Sequence, residues 1–262
     1  MVEEQGLPLE RRLRRAILFA RERVYHAGAP TPIDRLGLPD GDLQVWVKRE
    51  DLGPIKAYKW RGAFNRMAII AAEEPGAVAV TASAGNHAQG VALAARKLGM
   101  NARIYMPRTT PRVKIAAAEA HGDERVEIRL AGDSYDDADK AARTDAAKTG
   151  AINVHAYDDL DVMAGQGTLA DEVVLSGHGP FDVALLQIGG GGMAAGVGCW
   201  LKTHWPDIDL IGGLPPQRFQ SPMKSKAFSP VSPLIRRWLT ASVLLMPLAS
   251  RAADVDQSVS QP

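Results

Sequence analysis

Apolar runs with the spacing of strands alternate with helical patterns along most of the chain. The predicted strands are Leu43–Lys48, Ala77–Thr81, Ala102–Met106, Val126–Leu130, Ala151–Val154, Asp182–Ile188 and Ile208–Ile211. The predicted helices are Leu9–Tyr25, one beginning at Lys59, His87–Leu98, one beginning at Pro111 after Thr110 as cap, Tyr135–Lys148 behind a Ser134/Asp137 capping box, Asp161–Leu175 and Met193–His204. Because strands joined by helices need crossover connections, this order predicts an α/β fold with mostly parallel sheet.

Composition and charge narrow the class of protein. The 262 residues suffice for one large or two medium domains, and 46% hydrophobic with 23% charged residues is typical of globular chains. A net charge of +1 gives no reason to expect a nucleic-acid partner. The only cysteine, Cys199, cannot form an intramolecular disulfide, and we find no signal sequence or apolar run long enough to span a membrane. We therefore expect a cytoplasmic protein without a membrane partner.

The composition changes sharply after Gly213. The last 49 residues contain no Gly and no Glu but 7 Pro and 8 Ser. Two interpretations fit: a solvated or disordered tail, or foreign sequence such as the out-of-frame end of a truncated gene. On either interpretation, the strands at Asp182–Ile188 and Ile208–Ile211 are expected to lose neighbours that would normally cover them.

Three segments carry residues suited to chemistry, and the first contains Lys59. This lysine follows Lys48-Arg49-Glu50-Asp51 and a loop, and it lies at the predicted start of a helix, in Ala57-Tyr58-Lys59-Trp60-Arg61-Gly62-Ala63. The helix dipole at that position would lower its pKa and favour the neutral, nucleophilic amine. An ordinary surface lysine is the alternative.

The second segment is the turn Ser83-Ala84-Gly85-Asn86-His87 between a strand and a helix. Its small residues expose backbone N–H groups at a helix N-terminus, where an anionic group is favoured. An ordinary tight turn with Asn86 as the helix cap is the alternative.

The third segment, Gly189-Gly190-Gly191-Gly192 before Met193, also joins a strand to a helix. Four consecutive glycines favour close approach of the backbone to a phosphate. A dinucleotide fingerprint is the rival interpretation, because Gly190, Gly192 and Ala195 match G-x-G-x-x-A. That fingerprint requires an acid after the next strand, where the chain has Gly212-Gly213-Leu214, and a Walker loop would require G-K-[ST], which is missing.

Taken in order, K-R-E-D-L, Y-K-W-R-G-A, S-A-G-N-H-A-Q-G, A-G-Q-G-T at Ala164–Thr168 and G-G-G-G-M-A-A-G closely resemble the threonine/serine dehydratases. These are fold-type II pyridoxal-phosphate enzymes, also called the tryptophan synthase β family, and the resemblance covers about Leu9–Gly213. It implies two open, mostly parallel sheets flanked by helices. Residues 1–61 and 155–213 would form an incomplete large domain, residues 62–154 an inserted small domain, and residues 214–262 a tail outside the family fold.

The resemblance also implies roles for individual residues. Lys59 would form the covalent bond to pyridoxal 5'-phosphate, Tyr58 would pack near its ring and Asn86 would hydrogen-bond its phenolic oxygen. The residues expected to receive the substrate carboxylate are Ser83, Ala84, Gly85 and His87. The residues expected to hold the phosphate are Gly189, Gly190, Gly191, Gly192 and Met193. No metal ligand is implied.

The activity implied by the resemblance is β-elimination of water from a hydroxy amino acid, converting L-threonine to 2-oxobutanoate and ammonia. The partners would be this small-molecule substrate and further copies of the chain in a homo-oligomer. Alternatives are a serine racemase or another β-eliminating lyase, an inactive truncated remnant, and a nicotinamide oxidoreductase. Ala84 stands where related racemases have a second catalytic serine, and no Ser-Gly follows Gly213 to face the pyridine nitrogen.

Overall fold

The computed structural model describes residues 6–37, 44–213 and 243–246, the last as backbone only. The helices are α1 (Leu9–Val24), α2 (Lys59–Glu73), α3 (Asn86–Leu98), α4 (Arg112–Gly122), α5 (Tyr135–Thr149), α6 (Leu160–Leu175) and α7 (Gly192–His204). The strands are β1 (Ile33–Leu36), β2 (Val45–Lys48), β3 (Val78–Ala82), β4 (Asn101–Met106), β5 (Val126–Leu130), β6 (Ile152–Asn153), β7 (Val183–Gln187), β8 (Asp209–Gly213) and β9 (Val243–Met246). No helix in these ranges is long and apolar enough to cross a bilayer.

The smaller sheet has the order β5-β4-β3-β6 and is parallel throughout. Its two faces are covered by different helices. Ala79 on β3 belongs to the core shared with α3, whereas Val80 and Ala82 belong to a second core shared with Ala138 and Ala142 of α5. Burial on both faces is what a parallel sheet requires, so this half of the α/β prediction is confirmed in detail.

The larger sheet has the order β1-β2-β9-β7-β8, and only β7 and β8 form a parallel pair. The strand β9 runs antiparallel to both β2 and β7, which are therefore parallel to each other. The short edge strand β1 pairs antiparallel with β2 and was not predicted, because its central residues Asp34 and Arg35 are polar and exposed.

The tail contributes one element to this sheet, which corrects the expectation for Asp182–Ile188. The strand β7 has neighbours on both sides, because residues 243–246 occupy the position between β2 and β7. An extended segment there satisfies the backbone N–H and C=O groups of both strands. Among the described strands, β8 is an edge strand, and residues 214–242 and 247–262 lie outside the described part of the chain.

Glycines allow the central helices to approach closely. Gly62 of α2 faces Gly165 of α6. A Cβ added to Gly165 would lie 2.5 Å from the Arg61 carbonyl oxygen, which is too close for any side chain. The predicted domain boundary at Gly62 thus falls inside one continuous helix that packs on both α3 and α6. The division into residues 1–61, 62–154 and 155–213 stays a prediction.

The predicted starts of α1, α2 and α5 agree with the structure, whereas α3, α6 and α7 begin one residue earlier than predicted. Asp137 N donates to Ser134 Oγ at 3.2 Å, and Ser134 N donates to Asp137 Oδ2 at 3.1 Å, which confirms the capping box. The helix α4 begins at Arg112, one residue later than predicted, because Pro111 has the extended ψ of 139° and occupies the cap position itself. The strand β2 begins at Val45, and Leu43, where this strand was predicted to begin, lies outside the described residues.

Candidate active site

Lys59 is the first residue of α2 and is partly buried. Its Nζ donates a hydrogen bond to the Ala156 carbonyl oxygen at 2.7 Å and lies 5.6 Å from the centre of the Tyr58 ring. Within the described residues, no carboxylate is paired with this amine or shifts its pKa. Burial lowers the pKa of Lys59 to about 8, so the predicted lowering is present with desolvation as its cause. Burial also raises the pKa of Tyr58 to about 12.

The backbone after β6 connects the three predicted segments. The Val154 carbonyl oxygen accepts hydrogen bonds from Thr81 Oγ1 at 2.8 Å and from His87 Nε2 at 3.0 Å. Two residues later, the Ala156 carbonyl oxygen accepts from Lys59. The next residue, Tyr157, packs against the glycine loop. We did not predict a role for residues 154–157, because a carbonyl acceptor leaves no signal in the sequence.

The turn at residues 83–87 lies beside the first turn of α2. An added Cβ at Gly90 of α3 would lie 3.1 Å from the Lys59 carbonyl oxygen. Asn86 is exposed and precedes Gly90 by four residues, which places both on the same face of α3. Ser83 Oγ accepts from the backbone N–H of Gly85 at 3.3 Å, so the Ser83 hydroxyl stabilises the turn. Ala84 is half-buried and offers no side-chain donor or acceptor.

His87 is buried and neutral. Burial first, and the nearby Lys59 second, lower its pKa to about 3. The Val154 carbonyl can only accept a hydrogen bond, so Nε2 carries the hydrogen of the neutral ring. Nδ1 has no partner within the described residues. The imidazole therefore cannot offer a positive charge to a substrate carboxylate, and the predicted contribution of His87 is confined to its backbone.

The glycine loop lies at the start of α7. Gly191 has a φ of +90° and occupies the helix cap position without any side-chain cap. An added Cβ at Gly192 would lie 2.5 Å from the Tyr157 carbonyl oxygen, and one at Gly190 would overlap the Tyr157 ring. At Gly189 and Gly191 an added Cβ would meet nothing within 4 Å. One side of the loop is thus packed against Tyr157, and the other side is open.

Met193 differs from the four glycines before it. Its side chain is buried in the core of the larger sheet and helices, together with Leu186 and Val197. Only its backbone N–H, in the first turn of α7, can therefore take part in binding an anion.

A buried ionic cluster, consisting of Lys48, Glu50, Arg61 and Glu172 with Thr31, lies behind α2. Lys48 Nζ is 2.6 Å from Glu172 Oε2, and Arg61 is 2.5 Å from Glu172 Oε1 and 2.9 Å from Glu50 Oε1. Thr31 Oγ1 donates to Glu50 Oε1 at 2.6 Å and accepts from Lys48 Nζ. The motif containing Lys48 and Glu50 was noted in the sequence, but Glu172 was missed because it is distant in the chain.

Comparison with known proteins shows the class to which this fold and site belong. Residues 24–240 match the family model described as "Pyridoxal-phosphate dependent enzyme". The chain therefore belongs to this family, as predicted.

Individual relatives give a finer comparison. The chain is 47% identical over 192 residues to "L-threonine dehydratase biosynthetic IlvA" of Burkholderia multivorans, covering 72% of this chain and 38% of that protein. Its structure is similar to threonine deaminase isoform 2 from Solanum lycopersicum, with 34% identity, a TM-score of 0.69 and coverage of 78% of this chain and 56% of that one. Maize serine racemase matches with 28% identity and a TM-score of 0.71, over 76% of this chain and 60% of that one. The chain spans well under half of the Burkholderia protein.

Proposed function

We propose that this chain binds pyridoxal 5'-phosphate and deaminates a hydroxy amino acid, converting L-threonine to 2-oxobutanoate and ammonia. The observation that carries the proposal is the Lys59 amine. It is partly buried, has a pKa lowered to about 8, donates a hydrogen bond to a neutral carbonyl, and lies next to the segment that packs on the glycine loop. The dehydratase relatives support threonine as the substrate.

The described residues fit this cofactor. The open side of Gly189 and Gly191 adjoins the start of α7, whose first backbone N–H groups have no side-chain cap and can bind a phosphate. A Cβ at Gly190 or Gly192 would displace Tyr157 and with it the backbone that contacts Lys59. When bound, pyridoxal phosphate supplies an electron sink for negative charge at the substrate Cα.

The protein groups then have distinct tasks. A pKa of about 8 leaves a fraction of Lys59 neutral near pH 7, which suits it to remove the proton from the substrate Cα. The turn formed by Ser83, Ala84 and Gly85, with the backbone of His87, binds the substrate carboxylate through N–H groups. Asn86, on the face of α3 towards Lys59, hydrogen-bonds the phenolic oxygen of the cofactor, and Tyr58 packs near its ring.

Ala84 favours elimination over racemisation. A racemase needs a second group that moves a proton on the face of the substrate opposite the lysine, and the methyl group of Ala84 cannot do so. The hydroxyl of Ser83, one residue earlier, is engaged by the Gly85 N–H. The racemase similarity therefore supports the shared fold and cofactor more than a shared reaction. We also propose a cytoplasmic location, with which the free thiol of Cys199 is consistent, and a homo-oligomeric state, which follows from the family resemblance alone.

Covalent labelling tests the proposal. The full chain is incubated with pyridoxal phosphate and reduced with borohydride, and the adduct is mapped by mass spectrometry. We expect the adduct on Lys59, its loss in Lys59→Ala, and its retention in the matched control Lys56→Ala, whose lysine is exposed on the preceding loop. An adduct on Lys56 would contradict the proposal.

Product analysis with the same protein tests the reaction. Release of 2-oxobutanoate from L-threonine supports deamination, whereas D-serine formed from L-serine without pyruvate would favour the racemase alternative. Binding of the cofactor without turnover of either substrate would favour the inactive remnant.

A further inference from the structure

Two side chains from different elements donate to the same carbonyl oxygen beside the proposed active site. Thr81 lies on β3 and His87 on α3, and both are buried. Their hydrogen bonds to the Val154 oxygen measure 2.8 and 3.0 Å. Val154 also donates its own N–H to the Val80 carbonyl at 2.8 Å, so its peptide groups are held on both sides.

Two residues after Val154, the backbone of Ala156 contacts the side chain of Lys59. Among the residues that the structure describes, the Ala156 carbonyl oxygen is the one hydrogen-bond acceptor of Lys59 Nζ. Between the two carbonyls lies His155, whose Nδ1 accepts the backbone N–H of Asp158 at 2.8 Å and so forms a compact turn. The direction of the Ala156 carbonyl therefore depends on where Val154 is held.

We infer that Thr81 and His87 are positioning residues for Lys59: by holding the Val154 carbonyl they fix the turn whose Ala156 carbonyl receives the Lys59 amine. The inference rests on the proposed function only for its catalytic meaning, since the contacts themselves involve no cofactor. On this inference, the His87 side chain holds the backbone of residues 154–156 and does not bind the substrate.

The other titratable groups near Lys59 do not provide the same control. Tyr58 precedes it on the same strand-to-helix connection, and burial raises its pKa. His155, which affects the pKa of His87, points its Nδ1 towards the Asp158 N–H. Arg61 on α2 is paired with Glu50 and Glu172. Within the described residues, the hydrogen-bond partner of the amine is thus a neutral carbonyl, whose placement sets how well the ammonium form is stabilised.

The test measures the reactivity of Lys59 in the full chain without cofactor. Each variant is trace-labelled with acetic anhydride between pH 6 and 11, and the extent of labelling at Lys59 is read by mass spectrometry, with exposed Lys56 as the reference for reagent supply. Gln can place an N–H where His87 has Nε2, whereas Asn reaches only the position of Nδ1. Thr81→Ser keeps the hydroxyl donor, and Thr81→Val removes it while keeping the side-chain shape.

We expect a midpoint near pH 8 for the natural chain, for His87→Gln and for Thr81→Ser. In His87→Asn and Thr81→Val the ammonium loses a well-placed acceptor while remaining desolvated, so the midpoint falls by about one pH unit. Identical midpoints in all four folded variants would overturn the inference, and Thr81→Val decides alone if His87→Asn does not fold. If no borohydride adduct forms on Lys59, the proposed function is refuted. The acetylation midpoints still decide the positioning role, because they are measured without cofactor.

Discussion

Two lysines near the proposed active site differ in their surroundings: Lys48 is fully buried among charged groups, and Lys59 is partly buried among neutral ones. Lys48 is fully buried, and its pKa is lowered by desolvation, which the charges of Glu50 and Glu172 offset in part. Its Nζ also donates to the Thr31 carbonyl oxygen at 2.7 Å. Within the described part of the chain, Lys59 donates its hydrogen bond to the neutral Ala156 carbonyl, and burial lowers its pKa to about 8. Counter-charges hold one amine as a cation for structure, and their absence leaves the other available for proton transfer.

The helix α2 links the environment of Lys48 to that of Lys59. Arg61 lies two residues after Lys59 and binds both Glu50 and Glu172, which are the acids that neutralise Lys48. The ionic cluster therefore fastens the first turn of the helix that begins with Lys59. Removing a charge from the cluster and removing the charge of Lys59 are expected to have opposite effects on stability.

The largest effect is expected from Glu172→Gln. This change keeps the side-chain shape but removes the carboxylate that pairs with Lys48 at 2.6 Å and Arg61 at 2.5 Å. Breaking a buried ion pair from one side leaves an uncompensated charge and costs about 3–5 kcal/mol. Urea denaturation followed by circular dichroism should show this loss in the free energy of unfolding. A loss below about 1 kcal/mol would show that Glu50 alone neutralises the cluster, and the contrast between the two lysines would weaken.

Local patterns predicted those parts of the molecule that depend on nearby residues. The strand β5 has the predicted bounds, the capping box of α5 forms as expected, and Lys59 begins a helix. The placement of the glycine loop between a strand and a helix was also predictable, because strand and helix patterns flank it.

The missed features depend on residues far apart in the chain. Glu172 joins Lys48 and Arg61 only after α6 packs beside α2. The alternation within Lys48-Arg49-Glu50 could have indicated the two inward-facing members of the cluster. Lys48 and Glu50 are buried, while Arg49 between them is partly exposed. The strand β9 could not be predicted from its own residues, because its position is set by the free edges of β2 and β7. The packing of Tyr157 against Gly190 likewise requires the two loops to meet.

A smaller effect of opposite sign is expected at Lys59. Its pKa is about 8 in the folded chain and 10.5 as the ordinary value, so between these pH values the unfolded chain binds more protons. The free energy of unfolding should therefore rise with pH from 8 to 10.5 through this group, and below pH 8 the full cost of its burial is present. Lys59→Met removes that cost and should stabilise the cofactor-free chain by up to about 3 kcal/mol at pH 7, since each pKa unit corresponds to about 1.4 kcal/mol.

The matched control for this change is Lys48→Met. That variant should be less stable than the natural chain at pH 7, because Glu50 and Glu172 lose a partner. Urea denaturation of both variants at pH 7 and pH 10 provides the measurement. If Lys59→Met were also destabilising at pH 7, burial of Lys59 would be compensated by contacts beyond the Ala156 carbonyl.

The smallest effect is expected at an ion pair that differs from the cluster mainly in exposure. Arg49 lies between Lys48 and Glu50, and its Nη1 is 2.6 Å from Asp34 Oδ2, but 22% of the Arg49 side chain and 50% of the Asp34 side chain are exposed. Asp34→Asn should lower the free energy of unfolding by less than about 1 kcal/mol, because solvent screens the pair and Asp51 remains bound to Arg49. In 1 M NaCl, where the Debye length is about 3 Å, this difference should disappear, whereas the loss caused by Glu172→Gln should persist. A salt-resistant effect of Asp34→Asn as large as that of Glu172→Gln would mean that burial does not separate the structural cations of this chain from its surface charges.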